Sequence, residues 1–217
     1  AHLPMILGPD RAKLSKRHGT TNIADYQKQG YLPQAMVNFL ALLGWSLDDR
    51  TELLSQEELI KHFSLERVSK TAAIFNKDKL EWMNGVYLRK LSLEEFVQQA
   101  MPFLERDLPP SVKRPLDTDY IHQVMPPIQE RARTLAEVPQ LSDFFFLDEL
   151  QYETQLLLSK DMELTQAIHV IQVALRKLEA VKIWNATSLE GMLRPMAAEL
   201  NLTTGKFFGL LRVAITG

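Results

Sequence analysis

The sequence predicts a mainly α-helical protein with a small strand-containing start. Three observations carry this expectation. Leu164, Ile168, Ile171, Leu175 and Leu178 recur at spacings of three and four, the period of one helix face. Ser55 with Glu58, and Ser92 with Glu95, stand at the spacing at which two side chains satisfy the free backbone N–H groups of a helix start. A single run, Leu3 to Leu7, closed by Gly8-Pro9-Asp10, reads as a buried strand entering a turn.

Taken in chain order, the first element after that strand is a loop. Arg11 to Gly19 lacks apolar periodicity and carries Arg11, Lys13, Lys16 and Arg17 with no acid after Asp10, so it is expected to be exposed. Thr21 or Asn22 can cap a helix that stops at Gly30, and Pro33 suits the first turn of the next. Ala35 to Leu43 is apolar nearly all round, which predicts a buried helix. Ser55 opens a third helix, and Asn76 caps a fourth that holds Leu80, Trp82 and Met83; Trp45 and Trp82 are expected in the core. Ser92 opens a fifth, and then Leu108-Pro109-Pro110-Ser111 interrupts the pattern as a linker would, placing a domain boundary near Leu91 or Pro110. Tyr120 to Val138 reads as helix with a bend at Pro126-Pro127, since the first proline removes a backbone donor and the second restricts its predecessor. Phe144-Phe145-Phe146 reads as core. Glu163 to Leu178 is the strongest amphipathic helix, Thr187 with Glu190 starts another, and Thr204 to Ile215 is the last.

Composition bounds function only loosely. With 46% hydrophobic residues, 217 residues can bury one large core or two modest ones. A net charge of -2 and a pI of about 6.3 exclude a protein that grips nucleic acid by bulk charge, but leave local basic patches open. The absence of cysteine excludes disulfides and thiolate chemistry and fits a reducing compartment, so a cytoplasmic location is expected. His2, His18, His62, His122 and His169 show no spacing that puts two on one helix face, so no metal site is expected. No apolar run reaches the length of a membrane span, and no membrane partner is expected. The start at Ala1-His2-Leu3 without Met, and an apolar pattern still running at Gly217, read as a fragment.

Lys13-Leu14-Ser15-Lys16-Arg17, followed by His18-Gly19, is the segment richest in chemistry. Two lysines three residues apart, flanked by Ser, Arg and Gly, can fold over a polyphosphate and neutralise charge as it moves onto a leaving pyrophosphate. By itself the run reads first as a solvated loop. It resembles the KMSKS signature loop of class I aminoacyl-tRNA synthetases in the form found in glutamyl enzymes, with Leu14 in place of Met and Arg17 in place of the final Ser. Gly30-Tyr31-Leu32-Pro33, Asn38-Phe39-Leu40-Ala41-Leu42-Leu43-Gly44-Trp45, Arg67-Val68-Ser69-Lys70, Asp78-Lys79-Leu80-Glu81-Trp82-Met83-Asn84-Gly85 and Leu211-Arg212-Val213-Ala214-Ile215-Thr216-Gly217 resemble bacterial glutamyl-tRNA synthetases in order and spacing.

The resemblance implies that Lys16 acts catalytically by stabilising the ATP phosphates during adenylate formation, while Lys13, Leu14, Ser15 and Arg17 complete the ATP-binding loop. It implies an end of the catalytic domain over 1–19, a stem-contact region over 20–90, and an anticodon-binding helical region over 91–217. Arg131 falls where a family arginine tests the third anticodon base, and Arg212 where one faces the first two. The rival readings are a solvated neighbour of an Arg133–Glu137 surface pair for the first, and an arginine lying over the helix bundle for the second. The implied partners are tRNA(Glu), with glutamate and ATP with Mg2+ in the full-length enzyme, which is expected to be a monomer; this part alone is expected to be inactive. The rivals are a non-enzymatic helical RNA-binding module and a protein-interaction scaffold.

Overall fold

A computed structural model describes residues 4–19, 22–150, 153–159 and 162–217. The chain divides into two compact units, Ala1–Phe145 and Phe146–Gly217. The fold is mainly α, as the sequence predicts.

The first unit begins with a two-stranded parallel sheet. Strand β1 (Ile6–Leu7) pairs with β2 (Ala73–Ile74), Ile6 opposite Ala73 and Leu7 opposite Ile74, and the Phe75 amide donates to the Leu7 carbonyl at 2.8 Å. The expected strand is thus shorter and less buried than predicted: Met5 is exposed, Ile6 is at the border of exposure, and Leu3 lies outside the described residues. Its partner was not read from the sequence, because a two-residue strand leaves no period to detect.

Among the described residues of this unit the α-helices are α1 (Ile23–Lys28), α2 (Pro33–Ala41), α3 (Gln56–His62), α4 (Lys77–Lys90), α5 (Leu93–Asp107), α6 (Thr118–Val124), α7 (Pro126–Gln129) and α8 (Val138–Ser142). Their starts obey the capping rules. Asn22, Ser55, Asn76, Ser92 and Asp117 each accept a hydrogen bond from a first-turn N–H, and both serine–glutamate boxes close reciprocally. Thr21 lies outside the described residues. The helix read from Tyr120 to Val138 ends earlier, at Gln129, after the bend at Pro126, and a turn separates it from α8. Leu108, Val112 and Leu116 are buried and the Arg114 guanidinium donates to the carbonyls of Leu108, Pro109 and Val112, so the segment read as a linker is a packed loop.

Tyr26, Tyr31, Met36, Phe39, Phe75, Leu80 and Met83 form one core of this unit, and Trp45, Leu54 and Leu59 another. Trp82, expected with them, is 45% exposed on α4, and the three consecutive phenylalanines are only half-buried. On α2, Val37 and Leu40 face solvent while Ala35, Met36, Asn38 and Phe39 are buried. The Oδ1 of buried Asn38 accepts from the Leu54 amide at 3.0 Å and the Tyr87 hydroxyl at 3.0 Å.

His122 ties α6 to α5. Its Nδ1 meets the Thr118 carbonyl and its Nε2 the Glu94 carboxylate, each at 2.8 Å, so both ring nitrogens face acceptors and the imidazolium satisfies both. The Thr118 carbonyl first, and then Glu94, push its pKa up. A raised folded-state pKa stabilises the fold below the ordinary histidine value near 6.5, and that contribution is lost as pH rises through the raised value. His122→Gln is expected to flatten the fall in stability on going from pH 6 to 8. Urea midpoints across that range check it, and parallel curves for both proteins would refute it.

The second unit holds α9 (Leu164–Glu179), α10 (Ala186–Glu199) and α11 (Thr204–Thr216). Asn185, rather than Thr187, caps α10 by accepting from the Ser188 amide at 2.8 Å. The core comprises Ala167, Val170 and Ala174 of α9, Met196 and Ala197 of α10, and Phe207, Leu210 and Leu211 of α11. The predicted stripe of α9 is therefore displaced: Leu164, Ile168 and Leu175 are about half exposed, and the smaller residues beside them face the core. Ala167, Val170 and Ala174 share one core cluster with Phe207, and this fit of small against large side chains is a criterion that hydrophobic periodicity does not weigh. Among the described residues no helix is long and apolar enough to cross a membrane.

Candidate functional site

The basic loop grows out of β1. The Gly8 amide donates to Ala12 at 2.8 Å, Arg11 to Gly8 at 3.0 Å and Leu14 to Ile6 at 3.0 Å, so the chain reverses and Lys13 bridges back to Leu7. Arg11 takes a positive φ of 60° in that reversal. A 3-10 turn over Lys16–His18 follows, closed by the Gly19 amide on the Lys16 carbonyl at 3.2 Å.

Within the loop the five motif side chains divide by role. Leu14 packs against the core containing Tyr26, Phe39 and Phe75, which explains why the second motif position is apolar: it anchors the loop. Arg17 reaches back to the Asp10 carboxylate at 3.1 Å, and the other Asp10 oxygen accepts from the Ala12 amide at 2.9 Å. Both partners are largely exposed, so this pair orients the loop more than it stabilises the fold. Ser15 is half-buried. Lys13 and Lys16 are exposed, with no ion pair among the described residues. The loop thus presents two cations on a tethered base, a geometry suited to an anionic ligand such as a polyphosphate.

Arg131 lies elsewhere in the first unit, in the turn between α7 and α8, and is exposed. Its neighbours do not form the Arg133–Glu137 side-chain pair of the rival reading. The Glu137 carboxylate accepts instead from the backbone amide of Arg133 at 2.9 Å, and the Arg133 guanidinium faces Glu81 at 3.9 Å. The reason is that residues 130–134 are not helical, so positions four apart do not share a face.

The turn rests on a buried junction that sequence reasoning did not single out. Asn84, fully buried on α4, accepts from the Leu32 amide at 2.7 Å and donates to the Arg133 carbonyl at 2.6 Å. The Leu135 amide donates to the Gly30 carbonyl at 3.1 Å. The available signal was a polar residue inside the apolar run of α4, between Met83 and Gly85.

Arg212 belongs to the second unit. It stands on the exposed side of α11, opposite the buried Phe207, Leu210 and Leu211, with no ion pair among the described residues. The candidate residues thus fall in three places: the Lys13–Arg17 loop and the exposed Arg131 in the first unit, and the exposed Arg212 in the second.

Residues 1–82 match the family of tRNA synthetases class I (E and Q), catalytic domain, and residues 95–217 match the Anticodon binding domain family. Curated relatives include the glutamate–tRNA ligase of Dehalococcoides mccartyi strain CBDB1, 52% identical over the whole chain, and that of Moorella thermoacetica, 41% identical. The chain spans 45% and 44% of their lengths. Among solved structures, the glutamate–tRNA ligase of Elizabethkingia meningosepticum in complex with its amino acid superposes with a TM-score of 0.75 at 27% identity, over 99% of this chain and 45% of that one. The glutamate–tRNA synthetase of Elizabethkingia anophelis gives 0.71 at 26% identity, over 99% and 44%. An exposed loop with two lysines inside the catalytic-domain match, a helical anticodon-domain match after it, and glutamate–tRNA ligase relatives along the whole chain lead to one assignment: the chain belongs to the glutamyl-tRNA synthetase family.

Proposed function

We propose that this chain is the tRNA-binding C-terminal part of a glutamate–tRNA ligase, which joins glutamate to tRNA(Glu) through a glutamyl-adenylate at the expense of ATP. The observation that carries the reading is the Lys13–Arg17 loop. Lys16 is exposed, with no ion pair among the described residues, on a base fixed by Leu14 and Arg17, which suits it to follow charge onto the departing pyrophosphate. Its role is electrostatic: it holds phosphate oxygens and moves no proton. ATP, with Mg2+ on its phosphates, is the cofactor of this reading in the full-length enzyme.

The remainder serves tRNA. Residues 20–90 act as the stem-contact region and 91–217 as the anticodon-binding region. Arg131 tests the third anticodon base and Arg212 faces the other two. Exposed guanidiniums suit base reading, because their fixed donors match an acceptor edge and reject one that offers donors in return.

The test is aminoacylation by the full-length protein with tRNA(Glu) and with the same tRNA altered at the third anticodon base. Charging with glutamate is expected, and its absence would refute the assignment. Arg131→Gln removes a charged hydrogen-bond donor worth about 1.5–3 kcal/mol, so discrimination between the two tRNAs should fall by roughly tenfold or more. Equal discrimination would remove Arg131 from the site.

A further inference from the structure

The turn that carries Arg131 is held at both shoulders while its tip is left open. Ahead of it, the Gln129 side chain donates to the carbonyls of Leu88 and Leu91 at 3.0 and 2.9 Å, fixing the approach to the end of α4. Behind it, Leu135 is bonded to Gly30. Between them Ala132 is fully buried, and its carbonyl comes so near Gly85 that a Cβ there would lie 3.3 Å away. Asn84 donates to Arg133, the residue two beyond Arg131, while its oxygen holds Leu32. Glu137 adds the bonds to the Arg133 and Thr134 amides, at 2.9 and 3.4 Å.

An exposed arginine on a free loop samples many directions and must lose that freedom on binding. Here the backbone on either side of Arg131 is fixed by the side chains of Gln129, Asn84 and Glu137. A buried side-chain amide bonded on both its oxygen and its nitrogen defines one local shape, because any other leaves a polar group unsatisfied.

We propose that Asn84 and Glu137 are positioning residues for base recognition: together they hold the 130–134 turn in the shape that presents the Arg131 guanidinium to the third anticodon base. The proposal rests on the reading of Arg131 given above.

The test measures kcat/KM of the full-length enzyme for tRNA(Glu) and for the tRNA altered at the third anticodon base, and takes their ratio, which a general loss of active protein does not move. Asn84→Ala and Glu137→Ala are each expected to lower that ratio by roughly five- to tenfold. Asn84→Ala combined with Arg131→Gln should lower it no further than Arg131→Gln alone. Amide hydrogen exchange over residues 130–136 should quicken in both single variants, with α5 unchanged. Glu137 is at the surface edge of the turn, so its variant keeps the test open should Asn84→Ala fail to fold.

If Arg131→Gln lowers the ratio while neither positioning variant does, the positioning role is overturned and the reading of Arg131 survives. If Arg131→Gln leaves the ratio unchanged, the reading of Arg131 falls, and the proposal with it. A further loss in the double variant would show that Asn84 acts on recognition by a route other than Arg131, which also overturns the proposal.

Discussion

Lys16→Ala in the full-length enzyme is expected to slow adenylate formation by roughly 10²- to 10³-fold, the usual loss when one preorganised contact to developing charge is removed. Affinity for tRNA should change little, because Lys16 sits on the loop after β1, distant in sequence from both arginines proposed to read the anticodon. The loop itself should survive the change. Its anchors are Leu14 in the core and the Arg17–Asp10 pair, and Lys16 contributes no ion pair to them among the described residues. Pyrophosphate exchange measures the step directly. An unchanged exchange rate would refute the role, as would a loss matched by an equal loss of tRNA binding.

The second large effect is on stability. Gly30 ends α1 with φ at 79°, where a residue with a side chain is strained by about 1–2 kcal/mol. A Cβ there would also lie 2.5 Å from the Leu135 amide nitrogen and 2.7 Å from that of Ala136, both backbone atoms that cannot swing aside. Overpacking of this kind typically costs about 1–3 kcal/mol. Gly30→Ala is therefore expected to destabilise the first unit by about 2–5 kcal/mol. Gly44→Ala is the control, since Gly44 shares a positive φ of 97° but has nothing within 4 Å of its Cβ position. It should show the strain without the clash. Urea denaturation of both variants compares them, and equal losses would mean that the 130–136 segment yields to Gly30 and is not firmly docked.

The same junction shows where reading the sequence stopped. Helix starts at Asn22, Ser55, Asn76 and Ser92 were legible because a cap and its partner lie two or three residues apart. The Lys13–Arg17 motif was legible because all five of its residues are contiguous. Arg131 could be nominated from resemblance, but its setting could not: Asn84 lies 49 residues before Arg133, and Gly30 more than a hundred before Leu135. Single-sequence patterns carry no term for such pairs. Trp82 was misplaced for a related reason, since an indole is apolar enough for a core whether or not the fold offers one.

The sequence by itself determined the helical class, the positions of the helix starts and the cationic loop, all of which depend on interactions within a few residues. Only tertiary structure decided that β1 pairs with a strand at Ala73–Ile74, that the small residues of α9 and not its leucines enter the core, and that Asn84 underpins the Arg131 turn. Those outcomes depend on which distant surfaces fit at close-packed density and which buried polar groups find partners. Both are properties of the folded chain as a whole.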